Sequence, residues 1–249
     1  MADMDCTWDR LQQFAGSLGF DFSDKKIELF KTYFNLLIER NQSVNLTAIV
    51  TLDDVIRKHF IDSLFLARAL KGRKMARILD LGSGAGFPGL VLGIVFTDSE
   101  IVLCDALRKR VHFLTDVRDA LGLVNVQTIH ARAEELARLD TYRDSFDVVT
   151  ARALAPLHAV VEWGMPFLKP YGTLIAMKGP GVVDEVSEAA ITVRMLKGTH
   201  TQTSEYELPD GAGRRTLVEV EKLAPTPKNF PRKPGEALRT PLAVTSKIR

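Results

Sequence analysis

Cysteine is scarce in this 249-residue chain, which has two, Cys6 and Cys104. No Cys-x-x-Cys pair or Cys/His cluster supports zinc, and no metal is expected. Cys104 lies in an apolar run and reads as a buried free thiol. Long apolar runs are missing too: none approaches the ~18–20 residues of a membrane span. The first residues carry no apolar stretch behind a basic region, so no secretory signal is read there. These absences lead to the expectation of a reducing, cytoplasmic setting without a membrane. Excess charge of one sign is also lacking. Lys and Arg number 33 against 31 Asp and Glu, giving a net +2 and a pI near 8.5. Such a balance permits a nucleic-acid partner but requires any basic footprint to be local. No internal repeat is visible.

What is there suits an ordinary α/β protein. At 46% hydrophobic and 26% charged residues, the chain can bury a core and does not read as disordered. Residues 1–74 read as a helical extension. Phe30, Tyr33, Phe34, Leu37 and Ile38 form one apolar stripe at three- and four-residue spacing, with Asp24 as the expected N-cap. A second helix is expected over 52–70, and Lys71 to Lys74 reads as a hinge. From residue 75 to 224 short apolar runs alternate with helical patterns. Strands are expected at 78–81, 101–104, 126–129, 146–149 and 173–177, with helices at 110–121 and 157–168 between them. That alternation predicts a doubly wound, mostly parallel sheet with helices on both faces. Two further strands, 201–206 and 215–222, flank turn residues 209–213 and predict a hairpin, giving seven strands in all. The tail 225–249 holds Pro225, Pro227, Pro231, Pro234 and Pro241, which exclude regular helix or central strand.

Asp80-Leu-Gly-Ser-Gly-Ala-Gly-Phe-Pro-Gly89 follows the first strand. Gly82, Gly84 and Gly86 allow a tight turn and let backbone N–H groups approach a ligand. Pro88 fits the first turn of a helix. Asp105 ends the next strand, where a carboxylate can accept from both hydroxyls of a ribose. Gly84-x-Gly86-x-x-Gly89 also matches the dinucleotide fingerprint, so a nicotinamide cofactor stays open. Asp80 favours S-adenosylmethionine instead: an acid there would repel a pyrophosphate but suits a cationic sulfonium. After the third strand, the backbone of Ala133 and Glu134 is placed to meet an adenine. A solvated first turn of a helix is the plainer reading of that acidic pair.

The motifs Asn45-Leu-Thr47, Lys58-His-Phe-Ile-Asp-Ser63, Asp80 to Gly89, Ala151-Arg-Ala153, Lys178-Gly179 and Phe230-Pro-Arg-Lys-Pro-Gly235 run in order along the chain. Together they resemble the glucose-inhibited division protein B family, bacterial enzymes that methylate guanine N7 in 16S ribosomal RNA. The resemblance implies a class I, Rossmann-like methyltransferase fold with a helical N-terminal extension. It implies S-adenosylmethionine as cofactor and S-adenosylhomocysteine as product. Cofactor contacts are implied at Gly82, Phe87, Ala133, Glu134 and Arg152, with Asp105 as the ribose acid. The acid after the second strand varies in the family, which leaves Asp105 less secure than Gly82. The implied partner is 16S ribosomal RNA or the small ribosomal subunit, and the chain is taken as a monomer.

Other residues fit that chemistry by what is absent. Guanine N7 has an exposed lone pair, so methyl transfer needs positioning and no prior deprotonation. After the fourth strand there is no Asx-Pro-Pro-aromatic motif to hold an exocyclic amine, and no cysteine is placed for a covalent adduct. Arg152 is a positioning candidate, towards the cofactor carboxylate or guanine O6; a structural ion pair is the alternative. Lys178 is a candidate for phosphate or base, against an ordinary exposed lysine. RNA contact is expected from His59, Arg108, Arg110, Lys178, Arg232, Lys233 and Arg239, although basic runs are often only solvated faces. His59, Asp62 and Ser63 suggest a hydrolytic triad, but nothing supplies an oxyanion hole or nucleophile elbow. A methyltransferase for small molecules or proteins, and a non-catalytic RNA-binding protein, are the remaining readings.

Overall fold

Five apolar runs become parallel strands, and the central ones bury both of their faces. The computed structural model describes residues 2–242, with side chains from Thr7 onward. The side chain of Cys6 and tail residues 243–249 lie outside the described residues. The strands are β1 Arg77–Leu81, β2 Glu100–Asp105, β3 Val126–His130, β4 Phe146–Arg152, β5 Leu168–Lys178, β6 Gly198–Leu208 and β7 Gly213–Lys222. They form one seven-stranded sheet in the order β3-β2-β1-β4-β5-β7-β6. The first five are mutually parallel; β7 runs antiparallel to β5 and to β6. The expected 201–206/215–222 hairpin is therefore present, with β7 inserted between β5 and β6.

Successive strand residues point to opposite faces. Ile78, Ile101, Leu103, Val148 and Ile175 join the core beneath the N-terminal helices. Leu79, Val102, Val149, Leu174 and Ala176 join the core on the other face. Helices α1 Ala2–Ser17, α2 Asp24–Val44, α3 Leu52–Val55 and α4 Asp62–Leu70 precede the sheet; α5 Gly89–Val95 and α6 Arg108–Ala120 lie within the winding. The second face carries α7 Ala133–Leu136, α8 Leu157–Gly164, α9 Val183–Met195 and α10 Glu236–Arg239.

Several local expectations differ from the structure. Ser23, not Asp24, is the N-cap of α2; Asp24 is its first helical residue, where its charge still favours the helix N-terminus. The expected 52–70 helix is interrupted by a π-helical stretch, Ile56–Ile61. Pro88 stands at the N-cap of α5 rather than inside its first turn. The 157–168 pattern ends as α8, then a 3-10 turn Met165–Phe167, because Pro166 lacks the N–H that would continue α8. The tail, expected to exclude helix, holds the single turn α10 between Pro234 and Pro241. The Lys71–Lys74 hinge is tied to the sheet by an Arg73–Glu219 ion pair at 2.8 Å.

Candidate active site

The glycine turn hangs from the carboxyl ends of β1 and β2. The N–H groups of Gly82 and Ser83 both donate to the Cys104 carbonyl, at 2.8 and 3.2 Å. Gly82, Gly84 and Gly86 all have positive φ, at 67°, 57° and 94°. Their freedom is used in different ways. A Cβ on Gly82 would stand 2.4 Å from Leu154 Cδ1, and one on Gly86 would stand 2.5 Å from the Tyr33 hydroxyl. At Gly84 the space stays open, with Gly82 O at 3.7 Å as the nearest atom. Two of the three glycines thus serve close packing of the protein on itself.

Asp80 is turned into the protein. It is fully buried; Oδ1 accepts from the Thr150 hydroxyl at 2.9 Å and Oδ2 from the Gly89 N–H at 3.2 Å. Burial raises its pKa to about 6, against the hydrogen bond from Thr150. Any preference of Asp80 for a sulfonium over a pyrophosphate would therefore act through charge and not through contact. Its carboxylate ties β1 to β4 and to the start of α5.

Asp105 does face a cleft. This cleft, about 230 Å³, is lined by Gly82, Asp105, Leu107, Arg110, Arg132, Ala133, Glu134, Leu154, Trp163 and the tail residues Gly235 and Leu238. Asp105 accepts the Gly84 N–H at 2.9 Å and the Leu107 N–H at 2.8 Å, one on each oxygen, with Arg110 at 3.5 Å. Each oxygen keeps a further lone pair for another donor. On the opposite wall, the N–H groups of Ala133 and Glu134 open the short α7, and among the described residues neither has a protein acceptor. The Glu134 side chain instead accepts the Gly235 N–H at 3.1 Å.

A second cleft, about 250 Å³, lies across the end of β4. Its walls include Lys58, His59, Asp62, Arg152, Ala153, Met177, Lys178 and Arg215. Arg152 organises it. Its guanidinium donates to Asp62 Oδ2 at 2.9 Å, to the Lys58 carbonyl at 3.1 Å and to His59 Nδ1 at 2.8 Å. The same Nδ1 lies 3.1 Å from the Lys58 carbonyl, and Nε2 lies 3.0 Å from Thr47 Oγ1; Arg152 can only donate, so its contact calls for a bare Nδ1, whereas the carbonyl contact calls for a proton there. Burial, aided by the Arg152 charge, pushes the His59 pKa down to about 3, and the ring is neutral. The other Asp62 oxygen accepts the Tyr206 hydroxyl at 2.7 Å. Lys58 and His59 lie in the π-helical stretch.

The remaining expected residues are distributed as follows. Phe87 is buried beneath the second cleft; its ring stacks on His59 with centroids 4.4 Å apart, and Arg152 lies 5.2 Å from its centroid. Lys178 pairs with Glu185 and donates to the Ala155 carbonyl, both at 2.7 Å. Arg108, Lys233 and Arg239 are exposed and make no ion pair among the described residues. Arg232 instead grips both oxygens of the buried Glu162, at 2.9 and 2.6 Å. The triad reading fails on geometry: Ser63 donates to the His59 carbonyl, while the His59 ring and Asp62 bond to other groups. Cys104 is inert as a nucleophile, since burial pushes its thiol up to about 12. Two wall residues escaped the sequence reading. Arg215 reaches the second cleft only because β7 is inserted beside β5, and Trp163 reaches the first from α8. No local motif marks either.

The comparisons with known proteins name a family. The profile of the GidB family, rRNA small subunit methyltransferase G, matches residues 26–218. The chain belongs to that family. A relative from Clostridium novyi, named ribosomal RNA small subunit methyltransferase G, is 41% identical over 94% of this chain and 97% of its own length. One of the same name from Lactococcus lactis is 42% identical over 88% of this chain and 92% of its own. The fold also matches a putative O-methyltransferase from Klebsiella pneumoniae, with a TM-score of 0.53 at 15% identity, covering 77% of this chain and 90% of that one. A SAM-dependent O-methyltransferase from Thermotoga maritima gives 0.51 at 18% identity, covering 77% and 72%. The family protein thus has a class I methyltransferase fold. Among the described residues no helix is long and apolar enough to cross a membrane, and no group of His, Cys, Asp or Glu could hold a metal.

Proposed function

We propose that this protein transfers the methyl group of S-adenosylmethionine to N7 of a guanine in the 16S RNA of the small ribosomal subunit. The first cleft fits the nucleoside end of that cofactor. Asp105 retains lone pairs for the two ribose hydroxyls, and the free N–H groups of Ala133 and Glu134 face the position of an adenine edge. Gly82 lines the same cleft, and Gly84 donates its N–H to Asp105. The second cleft, on the other side of Leu154 and Ala153, takes the acceptor. When bound, the cofactor supplies an electrophilic methyl carbon on a sulfonium.

The carrying observation is what the second cleft does not offer. Both bases on its wall are committed to the protein: His59 lies against Arg152 with its pKa lowered to about 3, and Asp62 is 3% exposed, with one oxygen accepting from Arg152 and the other from Tyr206. A wall without a free general base suits an acceptor that needs none. A guanine held on this wall would present its N7 lone pair with no proton to be taken by His59 or Asp62. No proton leaves N7. The protein's part is positioning and exclusion of water. Arg152 keeps two N–H donors, Nε–H and one on its second terminal nitrogen, for guanine O6 or the cofactor carboxylate. The unpaired cations Arg108, Lys233 and Arg239 are placed for phosphate.

The test is transfer itself. Purified protein with methyl-labelled S-adenosylmethionine is expected to label small-subunit RNA from cells lacking the enzyme, and not RNA from cells containing it. Label entering neither RNA rejects the reading. Calorimetry separates the cofactors: S-adenosylhomocysteine is expected to bind and NAD is not.

A further inference from the structure

The tail does more than carry basic residues. Between Thr226 and Thr240 it is fastened back onto the second face of the sheet. Arg143 donates to the Thr226 and Phe230 carbonyls, both at 2.9 Å, and Arg138 to the Pro231 carbonyl at 2.6 Å. Phe230 and Ala237 are buried in the core there. Arg232 adds a two-pronged clamp on Glu162, its own N–H reaches the same carboxylate at 3.1 Å, and its remaining terminal nitrogen donates to the Thr240 carbonyl at 2.8 Å. Such a fork fixes orientation as well as distance. Glu162 is 2% exposed and adjoins Trp163, which lines the first cleft.

This fastening holds the turn from Gly235 to Leu238 against that cleft. Gly235, at φ 81°, directs its N–H to Glu134 Oε1, next to the free N–H groups of α7. Leu238 lines the cleft although it is 48% exposed. A leucine in that position gains most when a flat, apolar-faced ligand covers it. We propose that Gly235 and Leu238 are part of the cofactor site, a wall over the purine end, and that the Arg232–Glu162 pair is its positioning clamp. The tail is then needed for cofactor affinity in its own right, apart from any RNA contact of Lys233 and Arg239. The inference rests on reading the first cleft as the nucleoside site.

Calorimetry with S-adenosylhomocysteine on the full-length protein tests it. Removing the whole tail would expose the face under Phe230, so point variants carry the experiment. Leu238→Ala changes a half-exposed side chain and is expected to weaken binding about fivefold to tenfold, with the ligand-free melting midpoint unchanged. Arg232→Ala is expected to weaken it by about tenfold or more, and Arg232→Lys, which cannot span both oxygens, to recover only part of the loss. Affinity for small-subunit RNA should stay within about twofold for Leu238→Ala. Wild-type cofactor affinity in both Leu238→Ala and Arg232→Ala overturns the inference, as does a fall in RNA affinity alone. If the wild-type protein itself binds no S-adenosylhomocysteine, the cofactor reading fails first and takes the inference with it.

Discussion

Asp105 holds the glycine turn by accepting the Gly84 and Leu107 N–H groups, and in doing so points its spare lone pairs into the first cleft. Asp105→Ala is expected to weaken S-adenosylhomocysteine binding by about a hundredfold, the worth of two charge-assisted hydrogen bonds. Titration calorimetry reads this directly. Asp62 works through Arg152. Its carboxylate is 3% exposed, and Asp62→Ala would leave that guanidinium without its counter-charge. The expected cost is about 3–5 kcal/mol, a melting midpoint lower by roughly 10 °C, with methyl transfer reduced as well. The pH dependence follows from His59. Its folded pKa lies below the unfolded 6.5, at about 3, so unfolding takes up a proton between those values and stability falls as pH drops through that window. Denaturant melts at pH 7.5 and 5 should show wild type losing about 2 kcal/mol more than His59→Gln. Asp80 opposes this over part of the range. Its pKa is raised to about 6, so its contribution falls as pH rises from 4 to 6, and the comparison with His59→Gln isolates the histidine. At this scale the sequence was read unevenly. Asp105 was legible because a carboxylate at a strand end has one obvious direction. The partners of Asp80 were not legible, because the spacing of a motif does not say which way a buried side chain turns.

The elements were legible where their apolar periodicity was strong. The first five strands were expected within about five residues because they read as short apolar runs, whereas the polar, mostly exposed β6 was legible only from the turn residues that join it to β7. Helix α9 went unnoticed, since Asp184, Glu185, Ser187 and Glu188 dilute its apolar stripe after a Gly-Pro-Gly break. The π-helical stretch was likewise invisible; it arises where Lys58 and His59 must reach Arg152, and such bulges cluster at functional sites. The turn and the N-terminal extension are one unit. Tyr33 of α2 donates to the Ala85 carbonyl at 2.5 Å, and its hydroxyl occupies the space a Cβ on Gly86 would need. Gly86→Ala combines that clash with a φ of 94°, and is expected to destabilise the protein by about 2–4 kcal/mol. Chemical denaturation measures it, and an unchanged midpoint would separate α2 from the turn.

Over the whole molecule the sheet order defines the fold beyond what the motif can. The literal fingerprint leaves a dinucleotide open; the sheet with an antiparallel β7 between β5 and β6 belongs to a fold that matches solved methyltransferases. That order also brings Arg215 to the second cleft, so the site is finished only when the last strand is in place. Charge is spread thinly, with a net +2, and RNA affinity is expected to depend on a few exposed cations. Arg239→Ala should lower the slope of log affinity against log salt by about 1, read by filter binding at several salt concentrations.

The central claim is an acceptor that needs no base, served by a cleft that holds none free. Mapping the methylated nucleotide in 16S RNA from cells with and without the protein tests it most directly. A single guanine is expected to carry an N7 methyl group only when the protein is present. A methyl group on an exocyclic amine, a ribose hydroxyl or a ring carbon, or no difference between the two RNAs, would contradict it.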